Sequence, residues 1–188
     1  MADGLRSVHS FYAFIITFCS VALLLTAAPS QANDDIEKAG DIMLAIVPAA
    51  AYGLTFKSDD NDGRKQFYKS ILSTAAITYG LKKTVSRKRP NNKDRESFPS
   101  GHTSLTFSSA AFMQKRYGWK YGLPAYAAAS FVGWSRLDSD NHHVEDVIAG
   151  ALIGTVSAYC FTTHQKGNVH ATPFVEEKTY GLMINGEW

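Results

Sequence analysis

Residues 142–161 read HHVEDVIAGALIGTVSAYCF. The pattern predicts a helix from His142 to Phe161, with Ser139 to Asn141 as candidate N-caps. Gly150 and Gly154 form a small-xxx-small face, which lets a second helix approach closely. At the start of the run His142 and Asp146 are four apart and share a helix face, so the carboxylate can hold the imidazole in one tautomer and stabilise its cation. One helix thus carries both a packing surface and a reactive pair.

Working outward, Ser135-Arg136 ends a helix predicted from Leu123, and Pro99-Ser100-Gly101-His102 opens another that runs to about Tyr117 with His102 in its first turn. Lys82 lies near the end of a helix from Arg64 to Val85, and Arg89-Pro90 follows it in a polar loop, Ser86 to Phe98. Lys82, Arg89 and Arg136 are three fixed cations, and a guanidinium matches the oxygens of a phosphate bidentately. The Ser100 hydroxyl and the Gly101 amide add donors at the positive end of a helix, where anions bind. With two histidines beside them, these residues describe an oxyanion site that can also do chemistry.

The remaining elements are read from periodicity and punctuation. A first helix spans Asp34 to Phe56 with Pro48 as an expected kink, and Lys57 to Gly63 is a turn whose acidic residues match no complete calcium loop. The Arg64 to Val85 helix is expected to bury Phe67, Ile71, Leu72, Ala75, Ile77, Tyr79 and Leu81. After Thr162 the helical pattern stops, and Thr179 to Ile184 fits either a strand pair or an extended arm. The fold class is therefore all-α: a compact bundle of about five helices with a short irregular or β-containing tail. It divides into an N-terminal signal segment over 1–32, a helical domain over 33–161 and a tail over 162–188.

The 188 residues suffice for one domain with a substantial core. A net charge of +2, with no long basic face interleaved with aromatics, excludes nucleic acid as the expected partner. Arg6, the apolar run Phe11 to Ala27 and the ending Ser30-Gln31-Ala32 read as a secretory signal cleaved before Asn33, the rival being a retained anchor. Either way the site faces away from the cytoplasm, in the periplasm or at a membrane surface. Cys19 lies in that run, so Cys160 is left without an internal disulfide partner and is expected to be a small buried residue. The apolar stretches 42–56, 123–134 and 147–161 fall short of the roughly 18–20 residues that spanning requires, so the expectation is a bundle in contact with a membrane at most peripherally.

The order Lys-x6-Arg-Pro, Pro-Ser-Gly-His, Ser-Arg-x5-His-x3-Asp, found at Lys82 to Pro90, Pro99 to His102 and Ser135 to Asp146, resembles the type 2 phosphatidic acid phosphatase family. That family shares its site with bacterial acid phosphatases and vanadium haloperoxidases, and the resemblance covers about residues 64–161. It implies that His142 is a nucleophile forming a phosphohistidine, that Asp146 orients it, and that His102 is the general acid. It further implies that Lys82, Arg89, Ser100, Gly101 and Arg136 hold the phosphate oxygens, with no metal ion or other cofactor. His143, three residues from Asp146, is read as a polar neighbour, since the family spacing selects His142.

The implied activity is an exported phosphatase acting on phosphomonoesters or diphosphates, lipid phosphates favoured. A broad-specificity acid phosphatase on soluble phosphomonoesters, a vanadate-dependent haloperoxidase and a non-catalytic phosphate-group binding protein are the alternatives. A phosphorylated lipid or small phosphoester is the expected partner in each phosphatase reading.

Overall fold

The computed structural model describes residues 31–165, 169–176 and 179–186. The predicted signal segment up to residue 30 lies outside the described residues, and the backbone at Gln31 and Ala32 already belongs to the first helix. Five helices follow in order: α1 Gln31–Lys57, α2 Asn61–Val85, α3 Gly101–Tyr117, α4 Trp119–Asp138 and α5 Val144–Phe161. The tail is the strand pair of the two options: β1 Val169–Glu176 and β2 Thr179–Gly186 run antiparallel, with Val169 opposite Gly186 and Glu176 opposite Thr179.

α2 starts earlier than expected because Asp60 caps it, accepting from the Gly63 N–H at 2.8 Å. The same carboxylate takes Arg116 Nη2 at 2.6 Å, Arg116 Nε at 2.7 Å and the Tyr117 hydroxyl at 2.9 Å. The acidic turn therefore staples the α1–α2 connection to the end of α3. Arg116 Nη1 extends the staple by donating to the Thr163 carbonyl beyond α5, at 3.0 Å.

α3 is central and packs against the other four helices. Its contact with α5 depends on the two glycines: a Cβ on Gly150 would fall 2.6 Å from the Ser100 carbonyl oxygen, and one on Gly154 only 2.1 Å from that of Ser104. No side chain fits there. Between α2 and α3 the seam is made of hydroxyls, Thr74 Oγ1 donating to Ser108 Oγ at 3.1 Å and Thr78 Oγ1 to Ser104 Oγ at 3.0 Å. Phe67, Phe112, Val47 and Ala129 are among the residues that fill the core beside this seam.

Three expectations are corrected. α2 buries Gly63, Phe67, Ser70, Thr74 and Thr78, whereas Leu72 is 66% exposed and Ile77 and Tyr79 also face outward. The helical period was right and its phase was turned, because small hydroxyl residues allow a closer approach than Leu or Ile and satisfy one another across the seam. α5 repeats the pattern, with Gly150, Gly154 and Ser157 inside and Ile148, Leu152 and Val156 outside. Cys160 is exposed on the same helix. Finally, Asp34–Lys57 and Val144–Phe161 are each long and apolar enough to cross a membrane by length and composition. Pro48 stays inside α1 without ending it, so the helix is longer than its apolar run alone suggested.

Candidate active site

Five chain segments meet at one end of the bundle: the N-terminal part of α1, the end of α2 with its loop, the start of α3, the end of α4 and the connection into α5. Between them lies a cleft of about 340 Å³, lined by Glu37, Asp41, Lys82, Arg89, Gly101, His102, Arg136, Asn141 and His142. Six of the eight expected site residues thus line one space. The cis Phe98–Pro99 bond leads the loop into α3, and the Ser100 N–H donates to the Asp146 carbonyl at 2.9 Å, tying α3 to α5 at this end.

The other two expected residues stand behind the cleft. Ser100 is fully buried as the α3 N-cap, its hydroxyl 2.9 Å from Thr103 Oγ1, so it shapes the helix end rather than lining the cavity. Asp146 is also fully buried and is heavily engaged. Its Oδ1 accepts from Arg87 Nη1 at 2.9 Å, and its Oδ2 from the Ser97 hydroxyl at 2.5 Å and the His143 N–H at 2.9 Å. His142 Nδ1 lies 3.8 Å from Asp146 Oδ2, which is ion-pair range but beyond a hydrogen bond. That buried nitrogen has no hydrogen-bond partner among the described residues.

His142 Nε2 faces the opposite way, 3.3 Å from Arg89 Nη1, and Arg89 Nη1 also donates to the Asn141 carbonyl at 3.2 Å. Burial, with the Arg89 and Lys82 charges nearby, pushes the imidazole down to about 3 against the opposing pull of Asp146. At neutral pH the ring is therefore uncharged and keeps a lone pair for attack, as a nucleophile requires. Lys82 lies over the first turn of α3 and donates to the Glu96 carbonyl at 2.5 Å. His143 caps α5 in a capping box with Asp146 and turns its Nε2 to the Lys88 carbonyl at 3.2 Å, away from the cleft lining.

Across the cleft, His102 Nε2 is 3.1 Å from Asp41 Oδ1, and the same oxygen accepts from Arg136 Nη1 at 2.8 Å. Glu37 takes Arg136 Nη2 on its backbone carbonyl at 2.7 Å and Asn141 Nδ2 on its carboxylate at 2.8 Å. Asp41, Glu37, Asn141, Arg87 and Ser97 were not foreseen. One signal existed for the first two, since carboxylates four apart at the head of a mostly apolar helix share a face.

A family model of the PAP2 superfamily matches residues 66–169. The "Lipid A 4'-phosphatase" of Helicobacter pylori is 32% identical over 170 residues, covering 81% of this chain and 85% of that protein. The "Lipid A 1-phosphatase" of Porphyromonas gingivalis is 30% identical over 125 residues, covering 61% of this chain and 28% of that longer protein. The crystal structure of LpxE from Aquifex aeolicus superposes with a TM-score of 0.61 at 20% identity, covering 73% of this chain and 89% of that one, a likeness of fold.

Proposed function

The chain belongs to the PAP2 superfamily, and from that membership we propose that it is an exported, membrane-held phosphatase that removes phosphate from lipid phosphates through a phosphohistidine intermediate. The observation that carries this reading is the cleft in which Lys82, Arg89 and Arg136 surround two histidines, one of them neutral at its base. The three cations and the Gly101 amide hold the non-bridging oxygens of the phosphate. His142 Nε2 attacks phosphorus as the ester P–O bond breaks, and His102 gives its proton to the departing oxygen. A water then attacks the phosphohistidine while passing a proton to His102, which releases inorganic phosphate and restores both rings. The cations carry the charge that magnesium carries at other phosphoryl-transfer sites, so the proposed reaction needs no metal ion.

The lipid substrate class is supported by the outer surface as well as by the relatives' names. Leu72, Ile77, Leu152 and Val156 face outward while serine, threonine and glycine pack the seams. That inverted distribution suits helices in hydrocarbon, where small residues make the helix contacts. The N-terminal apolar run with its small-x-small ending supports a cleft on the exported side.

Purified chain in detergent micelles is expected to release phosphate from dioleoyl phosphatidate faster than from 4-nitrophenyl phosphate, with no change on adding EDTA. His142→Ala should lower kcat on the order of 10³-fold or more. Full activity of that variant would end the phosphohistidine reading, and a preference for the soluble ester would replace the lipid one.

A further inference from the structure

The cleft holds two groups that phosphate binding does not call for. Glu37 and Asp41, one helical turn apart on α1, present carboxylates beside Lys82, Arg89 and Arg136. An ionised carboxylate repels an incoming phosphate, so its place there needs another use. Asp41 has one, because its Oδ1 joins two groups of the reaction: Arg136 Nη1 at 2.8 Å and His102 Nε2 at 3.1 Å.

The arrangement is rigid on the side of α1 and α4. Arg136 is 3% exposed, with Nη2 on the Glu37 carbonyl and Nε on Ser135 Oγ at 3.2 Å. α1 presses on it at Gly40, where a Cβ would fall 2.1 Å from Ser135 Oγ and 2.7 Å from Arg136 Nη2. Arg136 is therefore a fixed post that holds the Asp41 carboxylate against the His102 ring. With Nε2 taken, the other ring nitrogen, Nδ1, has no hydrogen-bond partner among the described residues.

We propose that Asp41 is the positioning residue of the proton-transfer step, gripping His102 through Nε2 so that the departing oxygen takes its proton from Nδ1. This rests on the reading of the chain as a phosphatase that uses His142. In the step, the ester P–O bond breaks as the His142 Nε2–P bond forms, and the Nδ1 proton moves to the leaving oxygen, leaving His102 neutral and still bonded to Asp41. Water later returns a proton to Nδ1 as its oxygen takes the phosphoryl group from His142. Asp41 is never consumed. It fixes which nitrogen of the ring faces the substrate, as an orienting carboxylate does for other catalytic histidines.

A carboxylate that only neutralises Arg136 would affect every substrate alike, so the leaving group separates the two roles. An alkoxide leaving from a lipid phosphate needs a proton, whereas 4-nitrophenolate leaves without one. Asp41→Asn keeps the shape and is expected to lower kcat/KM, which reports the reaction only through cleavage of the ester P–O bond, by about 10- to 100-fold on dioleoyl phosphatidate, part of the roughly 10²- to 10⁴-fold that acid catalysis supplies, and by less than about 3-fold on 4-nitrophenyl phosphate. Retained hydrolysis of the aryl ester shows that the variant is folded, and Asp41→Glu should recover part of the lipid activity. Equal losses on both substrates, or no loss on the lipid, would overturn the proposal. A wild-type chain that hydrolyses neither substrate would instead overturn the phosphatase reading, and this one with it.

Discussion

At the scale of single residues, His142 joins function to stability. Its imidazole is held down to about 3 in the folded chain, whereas an unfolded chain takes up that proton near pH 6.5. Between those limits the unfolded state binds more protons, so stability is fully present above about pH 6.5 and is lost as pH falls toward about 3. Thermal unfolding of His142→Gln across that window is expected to show a shallower acid slope than wild type, and an identical slope would mean that the ring is charged in the folded chain. The motif residues were legible because their types announce their chemistry: two histidines, three cations and a Ser-Gly pair at a helix start. Asp41 and Arg87 were not. Each acts across a separation of many residues, Asp41 on Arg136 and Arg87 on Asp146, and only the folded chain brings those partners to 2.8 and 2.9 Å.

At the scale of elements, five helices were readable from periodicity and caps, and the α5 glycine face was readable from its spacing. A Cβ at Gly154 would meet backbone of α3, 2.1 Å from Ser104 O and 2.8 Å from Ser108 N, so the helices must part to admit it. Gly154→Ala is expected to destabilise the bundle by about 1–3 kcal/mol, the usual cost of overpacking. Gly53 on α1 has nothing within 4 Å of the same position, so Gly53→Ala should be neutral or stabilising by up to about 1 kcal/mol. Thermal midpoints of the two variants in one detergent check this, and a similar effect from both would deny the close α3–α5 contact its role. What periodicity could not give was the inward face of α2. Its apolar stripe and its Ser-Thr stripe repeat with the same helical spacing, and the choice between them depends on what surrounds the bundle.

At the scale of the whole molecule, the surroundings are what the sequence concealed. Judging each apolar run by its unbroken length missed that α1 and α5 reach spanning length when their polar ends are counted with them. If the bundle spans the membrane with the cleft on the exported side, as proposed, Lys93→Cys in the loop that carries Arg89 and Lys57→Cys at the far end of α1 lie on opposite sides of it. In a background lacking Cys19 and Cys160, a membrane-impermeant maleimide should label the first in right-side-out vesicles and the second only after they are opened. The reverse pattern would turn the cleft to the cytoplasm. The position of the cleft, where the helices of the bundle end, also changes what concentration means for this enzyme. If the bundle spans the membrane as proposed, the cleft sits at headgroup level and meets substrate that diffuses in a plane, so its turnover follows the number of lipid phosphates per unit area. Diluting the substrate with inert lipid should slow it, while adding water at fixed lipid composition should not.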